Sequence, residues 1–327
     1  MIGIVKRLGF YLIAIFLSLC INFLLPRLMP GDPFNVLFSR FQGQLSPEAI
    51  AALRESMGFT DDPWHIQFWN YLTSILQGDF GISTSFFPSP VADVIWQSMG
   101  WTFALAGMAL LVSFSIGSFL GVLAAWYRGG FIDRFITPSL IFLGSFPYFW
   151  LAMLLVYVFG FSLDWFPIAH AYSSGMRPSL SWEFIVDAAY HLFLPMMSIV
   201  LATMGGWILN MRNAMIAVLG TEYINLAHSK GLRHRVVLLR YAARNALLPN
   251  ITGLGMALGY VLAGSLLTEI VFSYPGQGYL LIQAVRNQDF PLMQALFFCI
   301  TVAVLLANWL VDIAYLWLDP RTRGAQT

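Results

Sequence analysis

A chain of 327 residues with only 10% charged residues is far from an average soluble protein, in which about a quarter are charged. With 58% hydrophobic residues and a mean hydropathy of +0.72, it is expected to be an all-α, polytopic membrane protein. A net charge of +1, with basic residues dispersed or gathered on one membrane face, argues against a nucleic-acid partner.

About 20 apolar residues cross the hydrocarbon core, and six segments reach that length: 8–28, 101–126, 135–160, 191–211, 247–272 and 291–318. The first follows Lys6 and Arg7, as a signal peptide would. Its apolar run is too long for one, and Arg27 and Pro30 follow in place of a small-residue cleavage site, so it is expected to be retained. With the N-terminus inside, twelve of the seventeen Lys and Arg fall in cytoplasmic connections or tails. Only Arg27, Arg40, Arg54, Arg177 and Arg286 fall outside. Both termini are therefore expected to be cytoplasmic.

The chain divides into an N-terminal transmembrane helix (1–28), an extracytoplasmic insertion (29–100), a core (101–318) with a cytoplasmic segment (212–246), and a cytoplasmic tail (319–327). The insertion holds seven of the sixteen acidic residues. Its patterning predicts a helix over 46–59, with Ser46 as N-cap and Gly58 as stop. A second amphipathic helix is predicted over 63–76, ended by Gly78. Residues 78–83 are rich in turn formers.

Several chemistries lack their residues. A phosphate-binding loop needs a lysine inside GxxxxGK[ST]. The only lysines are Lys6 and Lys230, and Ser229 precedes the latter. Of the five histidines, none forms a close ligand pair on one helix face; His228 and His234 are six apart and read as a solvated face. Cys20 and Cys299 lie in apolar runs and read as small buried residues. Within the spans, Glu269 stands near the outer end of the fifth, as a pathway residue or an interfacial acid with outer-loop partners, and Asp312 near the inner end of the sixth, as a helix-end charge near Arg321 and Arg323; ion coupling favours charges nearer the midplane. Asp79 and His191 are stray candidates for a membrane enzyme, a reading that no paired acid/base spacing supports. Gly205, Gly206, Gly253, Gly255 and Gly259 suit close helix approach.

The most distinctive stretch lies between the fourth and fifth spans. Six of the seventeen Lys and Arg fall between Arg212 and Arg244. Glu222, Tyr223, Leu226, Ala227 and Lys230 recur at helical spacing, and Gly231 follows as a stop. A short amphipathic helix at the bilayer surface suits contact with a soluble partner. Pro249 marks re-entry into the membrane.

This stretch resembles the cytoplasmic loop of ATP-binding-cassette importer permeases of the dipeptide/oligopeptide/nickel class. That class has roughly E-Y-[IV]-x-x-A-x-[AS]-K-G-L, then a basic helix and R-N-A-L-x-P. Here the residues are Glu222-Tyr223-Ile224-Asn225-Leu226-Ala227-His228-Ser229-Lys230-Gly231-Leu232, then Arg244-Asn245-Ala246-Leu247-Leu248-Pro249. Further pieces resemble the class in the right order: Pro30-Gly31-Asp32-Pro33, Gly78-Asp79-Phe80-Gly81 with Ser83, Pro90-Val91, Phe272 to Gly278, and Leu318 to Arg323. Asn225, Leu226 and His228 stand where the class often has Arg, Thr and Arg, and the outer loop 162–190 matches no pattern.

The resemblance implies a type I importer permease fold in a bacterial or archaeal inner membrane, with no catalytic residues and no metal. ATP and Mg²⁺ would be held by partner ATPases, and no cofactor by this chain. Implied partners are a second, homologous permease, two ATP-binding-cassette ATPases and an extracytoplasmic substrate-binding protein. Residues 222–232 would form the coupling helix. Tyr223, Leu226 and Ala227 would make apolar contact, Glu222 and Lys230 polar contact, and Gly231 with Leu232 the turn. Peptides and oligosaccharides stand level as cargo, with Trp207, Trp150, Tyr148 and Phe149 as candidate stacking faces. The alternative from another class is an ion-coupled carrier without ATPase partners.

Overall fold

The computed structural model describes residues 2–28 and 62–318, and every named element in them is helical. In chain order these are α1 (Ile2–Leu28), α2 (Trp64–Gln77), α3 (Val91–Trp126), α4 (Thr137–Leu143), α5 (Tyr148–Leu155), α6 (Trp182–Leu219), α7 (Glu222–Ser229), α8 (His234–Val236), α9 (Arg244–Val271), α10 (Gln277–Arg286) and α11 (Phe290–Leu318). Wider i→i+5 turns run over Ile132–Ile136, Val156–Ser162 and Val237–Ala243. The predicted helix over 46–59, Pro30 to Pro33, and Asp319 to Arg323 lie outside the described residues.

By length and apolarity α3 and α6 each suffice to cross a bilayer, and the bent pair over 132–162 reaches that length only when its two arms are taken together. The other three apolar segments are helical as well, within α1, α9 and α11. Ser181 starts α6, its hydroxyl accepting from the Phe184 N–H at 3.3 Å. With 38 residues, at a rise of 1.5 Å each, α6 is roughly 57 Å long and must emerge from a core of about 30 Å.

One expectation changes. Residues 135–160 are not one straight span: Ile132–Leu143 and Tyr148–Ser162 meet at 101°. Pro147 lacks an N–H and pushes Phe146 out of helical geometry, so the chain turns between Gly144 and Pro147. Pro249, expected where the chain re-enters the membrane, sits inside α9. Backbone helix runs from His234 through Val271, so the basic helix and the fifth span are one continuous rod.

The described residues form two compact units, those within 1–101 and 275–305 and those within 102–274 and 306–318. In the first, Phe23 meets the rings of Phe68 and Tyr71, and the Arg27 guanidinium lies 3.6 Å from the Phe23 ring centre. Arg27 also donates to Gln67 Oε1 at 2.8 Å, pinning α2 to α1. At the foot of α11 the fully buried Asp289 carboxylate accepts from Ser83 Oγ (2.5 Å), Ser85 N (2.8 Å) and Leu292 N (3.2 Å). One carboxylate thus caps a helix and fastens a distant turn.

The second unit is built on close helix approach. A Cβ on Gly121 of α3 would lie 2.7 Å from the Ile208 carbonyl oxygen. One on Gly205 of α6 would lie 2.6 Å from that of Leu140. Gly205 is therefore a packing glycine, as its sequence context implied. Gly253 approaches the Trp207 ring, Gly206 faces open space, and Gly255 and Gly259 lie outside the residues whose packing is described.

Candidate functional site

Thr221 takes extended geometry at the N-cap of α7, with its own hydroxyl turned back to the Val218 carbonyl at 2.6 Å. Glu222 in the first turn complements the positive end of the helix. At the other end Gly231 adopts φ +73°. Its N–H donates to the His228 carbonyl at 2.9 Å, and the Leu232 N–H reaches the Ala227 carbonyl at 3.3 Å. This pair of bonds is a Schellman stop, which needs a left-handed residue at Gly231 and an apolar contact made by the residue after it. Leu232 supplies that contact against the core that holds Ala227.

The helix has two unlike faces. Ile224 is 2% exposed and Ala227 is also buried. They pack with Val122 and Ala125 of α3, Met211 and Met215 of α6, and Val237, Ala242 and Ala246 of the following rod. Leu226 is 55% exposed, and Glu222, Tyr223, Asn225 and Lys230 are exposed beside it. Ala227, expected on the docking face, therefore belongs to the anchoring face. Its i, i+3 relation to Ile224 places both on the inward side.

Charge is divided in the same way. Arg212, counted with the basic stretch, is used internally. Its Nε donates to Asp133 Oδ1 at 2.6 Å and its Nη2 to Oδ2 at 3.3 Å, while the Gly129 N–H also reaches Oδ2. That carboxylate ties the turn after α3 to α6. Lys230, Arg233, Arg235, Arg240 and Arg244 stay exposed. The rings of His228 and His234 lie 5.7 Å apart, closer than their sequence separation indicated, and His234 also meets Trp126. No group of three metal-ligating side chains is found among the described residues.

Two polar residues missed by sequence reasoning fasten the rod. Asn245 donates through Nδ2 to the Tyr223 hydroxyl and to the Tyr241 carbonyl, both at 3.0 Å. Asn250, buried one residue after Pro249, donates to Ser118 Oγ of α3 at 3.0 Å and at 3.4 Å to the Trp207 carbonyl of α6. An amide inside an apolar run was the available signal. The spacing Gly117-x-x-x-Gly121 on α3 was another, since small residues four apart mark helix contacts.

Comparison with known proteins places this geometry. Residues 117–324 match the family described as binding-protein-dependent transport system inner membrane component, and residues 1–105 match its N-terminal region. The chain belongs to this family. A probable peptide ABC transporter permease of Sinorhizobium fredii is 33% identical, over 92% of each chain. A probable D,D-dipeptide transport system permease of Escherichia coli is 32% identical, over 98% of this chain and 97% of its own. A glutathione transport system permease of Salmonella typhimurium is 31% identical, over 98% of both.

The permease is thus a multi-pass inner membrane component, the non-catalytic part of a system that also comprises ATPase and binding-protein partners. This membership displaces the ion-coupled alternative. Within its second unit the permease encloses a cavity of about 300 Å³ bordered by Leu110, Tyr148, Thr203, Trp207, Asn210 and Ser265. Of the four aromatic residues considered for stacking, Tyr148 and Trp207 border it. Trp207 is itself buried edge-on against Phe114, and Trp150 stacks on Phe146. Glu269 is fully buried, and the side chain of Asp312 lies outside the described residues.

Proposed function

We propose that this chain is one of two permease halves of an importer for peptides, and that α7 is the helix through which partner ATPases drive it. The observation that carries the proposal is the division of α7 into an apolar anchoring face and an exposed face of Glu222, Tyr223, Leu226 and Lys230, closed by Gly231. A helix held from behind by core packing and bare in front suits seating in a groove of a soluble subunit. Displacement of α7 reaches the membrane through the rod from His234 to Val271, because Ile224 and Ala227 share one core with Val237, Ala242 and Ala246. Packed joints of this kind switch between two arrangements rather than bending smoothly.

The partner permease is a homologous but different chain, ATP and Mg²⁺ are held by the ATPases, and both termini and α7 lie on the cytoplasmic side. The names of the relatives, which specify peptides, D,D-dipeptides and glutathione, favour the peptide side of the earlier pair over oligosaccharides. The test is a cysteine at Leu226 in the assembled complex. Disulfide cross-linking to cysteines on the ATPase surface is expected, with a yield that changes when ATP is added. A Leu226 cysteine that reacts freely with a water-soluble maleimide in the full complex, and cross-links to nothing, would refute the docking role.

A further inference from the structure

The loop between the end of α5 and α6, which matched no family pattern, borders an open cavity of about 630 Å³ lined by Phe161, Asp164, Phe166, His170, Tyr172 and His191, of which Phe161, Asp164 and His170 are exposed. His191 is 8% exposed. Its Nδ1 lies 2.9 Å from the Asp187 carbonyl oxygen, one turn back on α6. A carbonyl only accepts, so Nδ1 donates this bond, and Nε2 is the ring nitrogen left to accept whenever the ring is neutral. Among the described residues no hydrogen bond is made to Nε2. The Asp187 carboxylate lies 3.6 Å from Nδ1 and accepts from the Ser173 N–H (2.7 Å) and hydroxyl (2.6 Å), so it backs the ring and ties the loop down beside it. The His170 N–H fastens the same loop to the Phe272 carbonyl at 2.9 Å. A second acceptor on the wall is the Asp164 carboxylate, on a residue with φ +51°. Phe166, stacked on Phe193 at 4.7 Å, adds an aromatic wall.

We propose that this cavity receives the protonated amino terminus of the peptide cargo. His191 Nε2 and the Asp164 carboxylate accept its N–H bonds, and the rings of Phe161, Phe166 and Tyr172 face the charge. Both acceptors suit a donor-only cation and disfavour a carboxylate, which sets the polarity with which a peptide enters. The inference rests on the peptide reading above and on the loop lying outside.

The test uses the complete complex in liposomes, with its ATPases, second permease and binding protein. Uptake of labelled trialanine and of N-acetyl-trialanine is measured beside the ATPase stimulation given by the binding protein. His191→Asn keeps a donor near the Nδ1 position and deletes the Nε2 acceptor. Asp164→Asn removes only charge, since asparagine tolerates a positive φ as well as aspartate does. Each variant is expected to lower trialanine uptake about tenfold, roughly one charge-assisted hydrogen bond. ATPase stimulation and N-acetyl-trialanine uptake should stay at the wild-type level. Trialanine uptake undiminished in both variants would overturn the cavity's role, as would an equal loss for both peptides. Absence of trialanine uptake by the wild-type complex would instead overturn the peptide reading, and this inference with it.

Discussion

Helices α2 and α7 end in the same way yet are held in opposite ways. In each, a glycine in left-handed geometry, Gly78 at φ +75° or Gly231 at φ +73°, closes the last turn. Each closes a Schellman pair: Asp79 N–H to the Ser74 carbonyl in one, and Leu232 N–H to the Ala227 carbonyl in the other. Past Gly78 the chain turns polar. Asp79 Oδ1 accepts the Gly81 N–H, and Ser83 with Ser85 then docks on the buried carboxylate of Asp289. Past Gly231 the anchoring contact is apolar: Leu232 joins Ile224 and Ala227 in a shared core, ahead of the exposed Arg233. A buried charge with three donors tolerates little movement, because each broken bond leaves a desolvated group behind. An apolar anchor can shift between packings at smaller cost. The first arrangement suits a fixed strut, the second a lever.

The sharpest way to break this comparison is at the strut. Asp289→Ala orphans the Ser83 hydroxyl and the Ser85 and Leu292 N–H groups, and is expected to cost about 3 kcal/mol or more. Thermal unfolding in detergent would read this, with Asp289→Asn milder because an amide oxygen still accepts. Next comes a contrast within α7. Ile224→Ala should cost about 2–4 kcal/mol by opening a cavity, whereas Leu226→Ala should change stability by less than about 0.5 kcal/mol. Leu226→Ala should nevertheless depress ATP-driven uptake. Equal melting losses for the two would deny the faces assigned to them.

Gly231→Val tests the stop itself. No atom lies within 4 Å of the added Cβ, so the cost is conformational, about 1–2 kcal/mol for the left-handed backbone. ATPase activity is expected to persist while uptake falls; intact coupling in this variant would argue that the turn is not part of the lever. The smallest effect is expected at Asn245→Ala, which removes the bond to the Tyr223 hydroxyl for about 1 kcal/mol. Its value lies in a double-mutant cycle with Tyr223→Phe, where a coupling energy near zero would show that the pair acts separately.

Much of this architecture was legible without coordinates. Long apolar runs predicted the spans, because a hydrocarbon core admits few other backbones. Glycines at residues 78 and 231 predicted helix stops, because few other residues accept positive φ. The motif from Glu222 to Leu232 was visible as local spacing. The break at Gly144–Pro147 was not placed, although Pro147 was its signal, and the continuity of the helix through Pro249 was not foreseen. A proline bends or ends a helix according to what its neighbours offer the freed carbonyl.

What the sequence determined by itself was therefore local or compositional: helical class, the amphipathic segment and its stops, and the family likeness they carry. Tertiary structure alone decided which face of α7 is spent on the core. It moved Ala227 inward and Arg212 onto Asp133. It also brought Asp289 to Ser83, Asn250 to Ser118, and His191 to the wall of a cavity. The physical reason is that periodicity places residues on a face but does not say what that face meets. Buried polar partners far apart in the chain are chosen by the packing of whole helices, which no local pattern records.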